Sequence, residues 1–329
     1  MSIGASRRSF LAALGAVPAA ALQRPALASY WTHEYWAQKG DVRLYMFRKR
    51  RAAPSAGERP LPVLFLVHGS SMSGRSTFDL DVPGTGDYSM MNAFAGYGFD
   101  VWTMDFEGYG RSARTEGNSN IAEGVKDLKV ATDLVMHETG RNYTSSANLR
   151  VDCARCLRDG TSGKSRPPCS RGVYLHGSRI SHVDRPCQAA RVFIARISRR
   201  PRDRDMIRSI FTRDKVGTAD PAVAEALANA ELPFGDSVPT GTYLDMTANL
   251  PVVDPMKVRA PVLLVRGEYD GIATEEDLIN FFTKLPNGDR QLTVLGGMAH
   301  SVVLGYNRDQ LWQVTRSFLE RPARQDHIK

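Results

Sequence analysis

The sequence predicts an α/β fold with a mostly parallel sheet, and two observations indicate this class. Four short apolar runs are typical of buried strands, and segments with helical periodicity separate them. The runs lie at 62–67, 100–105, 260–265 and 291–295. Strands that alternate with helices form parallel sheets with right-handed crossovers. The earlier stretch 41–47 alternates apolar and polar residues, which predicts an antiparallel edge strand.

Helical periodicity predicts the elements between these strands. Asn120 and Gly140 bound a segment with apolar residues at helical spacing, as an N-cap and a glycine just past the last turn. Short helical pieces within 201–250 predict a lid inserted between strands of the sheet. The other predicted helices lie at 275–285 and 309–319.

The N-terminus predicts export. Arg7 and Arg8 form a twin-arginine pattern, which an Ala/Leu-rich run follows. Ala26 and Ala28 supply the small residues that precede a cleavage site, so the mature chain is expected to begin near Ser29. Because the apolar run is too short to span a bilayer, we expect no stable membrane anchor. The predicted location is periplasmic or secreted, reached through the twin-arginine export machinery.

The positive net charge of +8 belongs to one segment of the chain. Residues 141–200 contain 13 basic and 3 acidic residues, whereas the remainder contains 30 basic and 32 acidic residues. The same segment holds all the cysteines, which are Cys153, Cys156, Cys169 and Cys187. Its aromatic residues are too widely spaced to stack on successive bases, so we expect no nucleic-acid partner.

Each of the four apolar runs is followed by residues that could bind a ligand or take part in a reaction. They are the His68-Gly-Ser-Ser turn, the glycine-rich turn at 108–111, Asp270 and His300. Ligands of parallel sheets bind at the carboxyl ends of the strands, so these residues are expected to lie near one another. An imidazole can take a proton from a hydroxyl group and return it, and a buried carboxylate fixes the tautomer of the ring. We expect His68 to orient its loop rather than to carry protons.

The order of these strand-end residues resembles the α/β-hydrolase family, over about 60–140 and 255–320. The resemblance implies a fold with a parallel sheet, flanking helices and a helical lid. It implies a catalytic triad in the chain order nucleophile, acid, histidine. The implied activity is hydrolysis of carboxylic esters or related small acyl substrates, with no metal or organic cofactor.

The resemblance also assigns roles to particular residues. Asp270 matches the family's acid, with Glu268 on the same loop as the alternative, and His300 matches its histidine. The implied oxyanion hole uses the backbone N–H of Ser70 or Ser71.

The family's nucleophile elbow, Gly-x-Ser-x-Gly, occurs nowhere in the chain. The resemblance places it at about 146–150, with the absent serine expected at about Asn148. The sequence from Thr144 can be back-translated into its possible codons and read from the third base of each codon. This reading permits Gly-Gln-Ser-Ser-Gly after an apolar strand end. From about Arg155, the remaining frame permits a helix and a buried strand. We therefore hypothesise that about 144–195 is translated out of frame, which predicts a sheet that is disrupted at its centre and an inactive chain.

The basic segment also allows interpretations in which its frame is intact. Gly160 to Ser165 is similar to a phosphate loop, but Arg158 occupies the position of its first glycine. The Cys153-x-x-Cys156 pair allows a zinc site or disulfides, yet the chain has no second such pair. Low apolar periodicity is also typical of disorder. The alternative to a hydrolase is a non-catalytic binding protein that keeps the hydrolase scaffold with a remodelled basic insert.

The predicted organisation has six parts. They are a signal peptide at 1–28, the N-terminal half of the core at 29–143, the anomalous segment at 144–200, the lid at 201–250, the C-terminal half of the core at 251–322 and a tail at 323–329.

Overall fold

The computed structural model describes residues 29–140, 149–153, 173–176, 198–248 and 252–322. The predicted signal peptide and tail lie outside these residues, as do Asn148, most of the basic segment, and Cys156, Cys169 and Cys187. Within the described residues, no helix combines the length and the apolar character needed to cross a membrane.

A mixed sheet of eight strands forms the centre of the described structure. Its strands, in chain order, are β1 (Trp31–Lys39), β2 (Val42–Arg50), β3 (Val63–Val67), β4 (Asp100–Met104), β5 (Leu149–Cys153), β6 (Val173–His176), β9 (Val262–Gly267) and β10 (Arg290–Leu295). Their spatial order is β1-β2-β4-β3-β5-β6-β9-β10. The β1–β2 and β2–β4 pairs are antiparallel, and the other pairs are parallel. A separate antiparallel pair is formed by β7 (Arg199–Pro201) and β8 (Ser237–Pro239).

Helices connect the strands and cover both faces of the sheet. In chain order they are α1 (Gly74–Phe78), α2 (Met90–Gly96), α3 (Ile121–Thr139), α4 (Arg204–Thr212), α5 (Pro221–Glu231), α6 (Gly241–Ala248), α7 (Glu275–Thr283) and α8 (Arg308–Glu320). Short 3-10 helices occur at Leu232–Phe234, Pro255–Lys257 and Val302–Leu304. One face of the sheet buries apolar residues of α2 and α8, and the other buries those of α3.

The four apolar runs of the sequence form β3, β4, β9 and β10, which confirms the mostly parallel sheet. Residues 42–47 of the stretch 41–47 lie in β2, which is antiparallel as predicted but is not at the edge. The edge position belongs to β1, which a two-residue turn joins to β2. The glycine of that turn, Gly40, has a φ of +56°, a conformation that suits glycine. Much of β1 is exposed and polar, so it lacks the apolar signal that marks a buried strand.

The middle of the sheet contains two strands for which the sequence gives no apolar signal. β5 and β6 come from the basic segment and fill the positions between β3 and β9. Cys153 is the register partner of Val67, and His176 is the partner of Val265. The ladder uses backbone N–H and C=O groups, which every residue except proline supplies in full. The backbone of the sheet is therefore continuous across this region, contrary to the expectation that the segment interrupts it.

Local signals place α3 as predicted. The Asn120 side chain accepts a hydrogen bond from the backbone N–H of Glu123 at 2.9 Å, which caps the first turn. Gly140 follows the last turn with a φ of +65°. The buried side of the helix includes Leu128 and Val135, which pack on the sheet.

The predicted lid region contains α4, α5 and α6. Apolar residues of α4 and α5 pack together and against the segment that follows β3. The buried members of this cluster include Ile207, Phe211, Val223, Leu227, Met72 and Leu80. This packing places the lid helices over the carboxyl end of β3.

Candidate active site

A cavity of about 690 Å³ lies between the lid and the ends of the parallel strands. Its wall includes Ser70 and Ser71 after β3, Arg200 of β7, and His300 after β10. Three of these four residues are predicted site residues, and the fourth is not. The structure thus brings the strand-end residues of two distant parts of the sequence to one cavity.

Asp270 contacts the imidazole of His300. Both carboxylate oxygens of Asp270 lie 3.0 Å from Nδ1 of His300. The carboxylate is buried, and its Oδ1 also accepts hydrogen bonds from the backbone N–H groups of Ile272 at 2.8 Å and Ala273 at 3.0 Å. These contacts fix the carboxylate and favour the ring tautomer in which Nδ1 carries the proton.

Main-chain contacts hold the loop that carries Asp270. Nε of Arg266 donates to the carbonyl oxygen of Ala273 at 2.9 Å, and its Nη2 donates to that of Asp270 at 3.0 Å. Glu268, the alternative acid, accepts a hydrogen bond from the backbone N–H of Gly297 at 2.8 Å. Glu268 therefore braces the turn before the histidine, while Asp270 contacts the imidazole.

Asp214, which follows α4, supports the histidine from the lid. Its Oδ2 accepts a hydrogen bond from the backbone N–H of His300 at 3.3 Å, and its Oδ1 lies 3.2 Å from Nε of Arg213. A Cβ at Gly271 would lie 2.9 Å from Oδ1 of Asp214, so this approach requires the absence of a side chain at Gly271. The sequence contains no motif that marks Asp214, because it acts across 86 residues.

The loop after β3 carries the two predicted oxyanion residues. Nη2 of Arg200 donates to the carbonyl oxygen of Ser70 at 3.0 Å and to Oγ of Ser71 at 2.9 Å. The Tyr109 hydroxyl donates to the same Ser70 carbonyl at 3.1 Å. None of the hydrogen bonds within the described residues uses the backbone N–H of Ser70 or Ser71. Within the described part of the chain, no acceptor therefore competes for these two N–H groups.

His68 is buried and links two strand ends. Its Nε2 accepts a hydrogen bond from the backbone N–H of Phe106 at 3.0 Å, so Nδ1 carries the proton. Nδ1 lies 2.7 Å from the carbonyl oxygen of Gly69. His68 is thus placed to orient its loop, as the sequence predicts.

Glu231 at the end of α5 anchors the same loop from the lid. Its Oε1 accepts hydrogen bonds from the backbone N–H and the Oγ of Ser73, both at 2.6 Å. Ser76 and Arg202 also contact the Glu231 carboxylate. Glu231 and Arg202 are both fully buried. Their positions in the sequence give no sign of this role, because the pair becomes recognisable only when the lid lies on the loop.

Asp105, after β4, is a second buried carboxylate beside this anchor. It accepts hydrogen bonds from the backbone N–H of Gly74 at 2.8 Å and of Arg111 at 2.9 Å. Burial raises the pKa of Asp105 to about 7, and the nearby charge of Glu231 acts in the same direction. The neutral carboxyl form is therefore favoured in the folded protein up to about neutral pH.

The position of the predicted nucleophile falls outside the described residues. Asn148 immediately precedes β5 in the chain, and β5 ends at Cys153 opposite Val67 of β3. The residues that follow Cys153 lie outside the described part of the chain. Among the residues that are described, no group of three or more His, Cys, Asp or Glu side chains is arranged to hold a metal ion.

The arrangement of strands, lid and strand-end loops is that of the α/β-hydrolase fold. No model of a known protein family matches the chain, and no curated protein matches it either. The comparison with solved structures therefore carries the assignment of the fold.

Three solved structures illustrate the likeness. A bromoperoxidase from Bacillus anthracis is 16% identical with a TM-score of 0.58, and the match covers 88% of this chain and 100% of that one. An esterase from Exiguobacterium antarcticum is 13% identical with a TM-score of 0.58, covering 87% and 99%. A soluble variant of the monoglyceride lipase of Saccharomyces cerevisiae is 15% identical with a TM-score of 0.58, covering 91% and 99%. At these identities the likeness establishes the fold.

Proposed function

We propose that this chain derives from an exported serine hydrolase that acts on carboxylic esters or related acyl compounds. The observation that carries the proposal is the Asp270–His300 contact, with Nδ1 of the ring 3.0 Å from both carboxylate oxygens. His300 of this pair lies in the wall of a cavity that Ser70 and Ser71 also line. Esterases and a lipase are among the proteins that share this fold.

In the proposed mechanism a serine of the elbow attacks the acyl carbon. Nε2 of His300 takes the serine proton and returns it to the leaving group, and Asp270 keeps the ring in the required tautomer. The N–H of Ser70 or Ser71 donates to the oxyanion that forms on the acyl group. In the second half of the reaction, His300 takes a proton from a water molecule that attacks the acyl-enzyme. It then gives the proton to the serine oxygen as the carboxylic acid leaves.

The chain as written lacks the serine of this mechanism, because Gly-x-Ser-x-Gly is absent. We infer that about 144–195 is out of frame and that the chain as written has no triad-based turnover. Sequencing the gene across this segment tests the frame. If the gene has an uninterrupted frame that encodes Arg150 and Cys153, the interpretation that the segment arises from a sequencing error is wrong.

A fluorophosphonate probe tests the function, because it reacts with serines that a histidine activates. Two proteins are compared: the chain as written, and a frame-restored chain in which the codons of about 144–195 are translated in the alternative frames. We expect labelling of the frame-restored chain and none of the chain as written. The His300→Ala variant of the frame-restored chain is the control and is expected to lose the label.

A non-catalytic binding protein is the second candidate. The pairing of β5 with β3 and of β6 with β9 favours it, since these strands belong to the basic segment as written. It predicts an uninterrupted gene frame and a segment that protects its backbone amides from hydrogen exchange. Neither chain would then react with the probe.

Export is part of the proposal and has its own test. Residues 1–28 are fused to a fluorescent protein that becomes fluorescent only when it folds in the cytoplasm. Because the twin-arginine route exports folded proteins, we expect fluorescence in the periplasm. Replacing Arg7 and Arg8 by lysine is expected to abolish it, and a periplasmic signal that survives this change would contradict twin-arginine export.

A further inference from the structure

Arg200 is a charged residue of the cavity wall that has no carboxylate partner within the described residues. The other charged or titratable side chains of the described wall each contact a partner. Arg213 pairs with Asp214 at 3.2 Å, and His300 lies 3.0 Å from Asp270. Among the described residues of the wall, Arg200 is therefore the cation that has no carboxylate partner.

This guanidinium has donors to spare. It carries five N–H groups, and the hydrogen bonds within the described residues use only Nη2, which contacts Ser70 and Ser71. Nε of Arg200 is buried and has no hydrogen-bond partner among those residues. The ring of Tyr243 lies 5.2 Å from the guanidinium carbon and helps to hold the group in place.

Arg202, just after β7, is a nearby arginine whose charge is paired with a carboxylate. Arg202 is fully buried, and the carboxylate of Glu231 contacts it. Arg200 receives no such carboxylate from the described lid. Burial lowers the pKa of Arg200, and the charges of Arg202 and Arg213 act in the same direction, yet a guanidinium stays charged at neutral pH. A partly desolvated cation without a counter-charge is costly, and a bound anion offsets that cost.

The rest of the wall is mainly apolar. Its apolar members include Phe78, Met206, Ile210, Leu227 and Val303. A cavity with one cation and apolar walls suits a ligand with an apolar body and one negative group. A carboxylate fits, because the charge of the guanidinium attracts it and the N–H groups of Nη1, which no described residue uses, can make charge-assisted hydrogen bonds to it.

We propose that Arg200 determines substrate specificity by binding a free carboxylate group of the substrate. Under the proposed function, on which this assignment of substrate class rests, the substrate is an ester that carries a second, unesterified carboxylate. Because Nη2 of Arg200 contacts both Ser70 and Ser71, the bound carboxylate lies close to the predicted oxyanion donors. The charged group and the reacting carbonyl are then separated by a short chain, as in a monoester of a small dicarboxylic acid.

Calorimetric titration of the chain as written tests the proposal without catalysis. The two ligands are monomethyl adipate, which has one carboxylate, and dimethyl adipate, which has the same chain and no charge. A charge-assisted hydrogen bond in a partly buried site corresponds to a preference of about ten- to a hundredfold. We expect that preference for the monoester. Equal affinities would overturn the proposal.

Variants separate carboxylate binding from support of the loop. Arg200→Gln is expected to abolish the preference for the monoester, and Arg200→Lys to keep part of it. Arg199→Gln is the matched control, because Arg199 lies on the same strand and contacts Gly108 and Ser237 instead. It is expected to keep the full preference. If Arg200→Gln weakens both ligands equally, Arg200 only supports the loop and the proposal is overturned.

The outcome is independent of the labelling experiment. Suppose that the chain prefers the monoester while the frame-restored chain does not react with the fluorophosphonate. That result would support the carboxylate site and contradict the proposed hydrolase. Labelling without any preference for the monoester would do the reverse. If Arg200→Gln does not fold, as judged by thermal unfolding, the comparison of the two ligands on the unaltered chain and on Arg200→Lys still decides.

Discussion

The two sides of the cavity are held in place by different kinds of contact. On the histidine side, the Asp270 carboxylate is fixed by backbone N–H groups two and three residues further along, and Arg266 ties the same loop. On the serine-loop side, residues 70–76 are held by side chains that lie about 130 to 160 positions away, from Arg200, Arg202 and Glu231. The first side is built mainly from local contacts, together with the hydrogen bond from the His300 N–H to Asp214 of the lid, whereas the second depends mainly on long-range contacts.

This difference implies different responses to mutation. Changes on the histidine side are expected to alter chemistry while the fold is kept. Changes at the lid anchors are expected to alter the stability of the fold first, and the chemistry as a consequence.

The largest expected effect is on the histidine side, for Asp270→Asn in the frame-restored chain. The amide cannot stabilise the imidazolium and favours the wrong tautomer, so kcat for a simple ester is expected to fall about 10⁴-fold. Glu268→Gln is the matched control on the same loop and is expected to change kcat by less than tenfold, because Glu268 contacts Gly297 rather than the imidazole. Similar losses in the two variants would contradict the assignment of the acid.

The next largest effect is expected for Glu231→Ala, which removes the carboxylate that contacts Arg202 and Ser73. Removing this carboxylate leaves Arg202 buried without its partner and Ser73 without its acceptor, so the free energy of unfolding is expected to fall by about 3–5 kcal/mol. Urea unfolding followed by circular dichroism measures it. Glu225→Ala on the same helix removes two exposed ion pairs, with Arg204 and Arg208, and is expected to leave stability nearly unchanged. Equal effects would show that Glu231 does not anchor the loop.

Asp105 adds a dependence on pH beside that anchor. Its pKa is raised to about 7 in the folded protein, so the folded state binds its proton more tightly than the unfolded state does. The contribution to stability is present in full below about pH 4 and is lost as the pH rises to about 7. The free energy of unfolding of the unaltered protein is compared with that of Asp105→Asn at each pH. The difference between them is expected to change by at most about 1.4 kcal/mol per pH unit in this window. A difference that does not vary between pH 4 and 7 would contradict the raised pKa.

The smallest expected effect is at a local contact far from the lid, the N-cap of α3. Asn120→Ala removes the acceptor for the Glu123 N–H and is expected to lower the free energy of unfolding by about 1 kcal/mol. Asn120→Asp keeps an acceptor and is expected to retain the stability of the unaltered protein. Thermal unfolding of both variants measures the difference, and an unchanged midpoint for the alanine variant would show that the cap does not stabilise the helix.

The same contrast explains how much the sequence predicts. Buried parallel strands, the caps of α3 and the strand-end residues Asp270 and His300 have local patterns, and the structure places them where the patterns indicate. The edge strand β1 has no such pattern, because polar residues cover its exposed side.

Contacts of long range leave no comparable pattern. In the sequence, Asp214 and Glu231 are ordinary residues of the predicted lid, and Arg200 is one of many arginines in the basic segment. Their contacts are with partners 86 to 158 positions away. The strands β5 and β6 are held by backbone hydrogen bonds that the side chains of the basic segment do not reveal.

The central claim is that Asp270 and His300 are the surviving members of a serine-hydrolase triad. It is tested most directly by treating the frame-restored chain with a fluorophosphonate and locating the modified residue by mass spectrometry. We expect the label on the serine of the restored Gly-x-Ser-x-Gly and no label after His300→Ala. A frame-restored chain that folds but remains unlabelled, or a label on the chain as written, would contradict the claim.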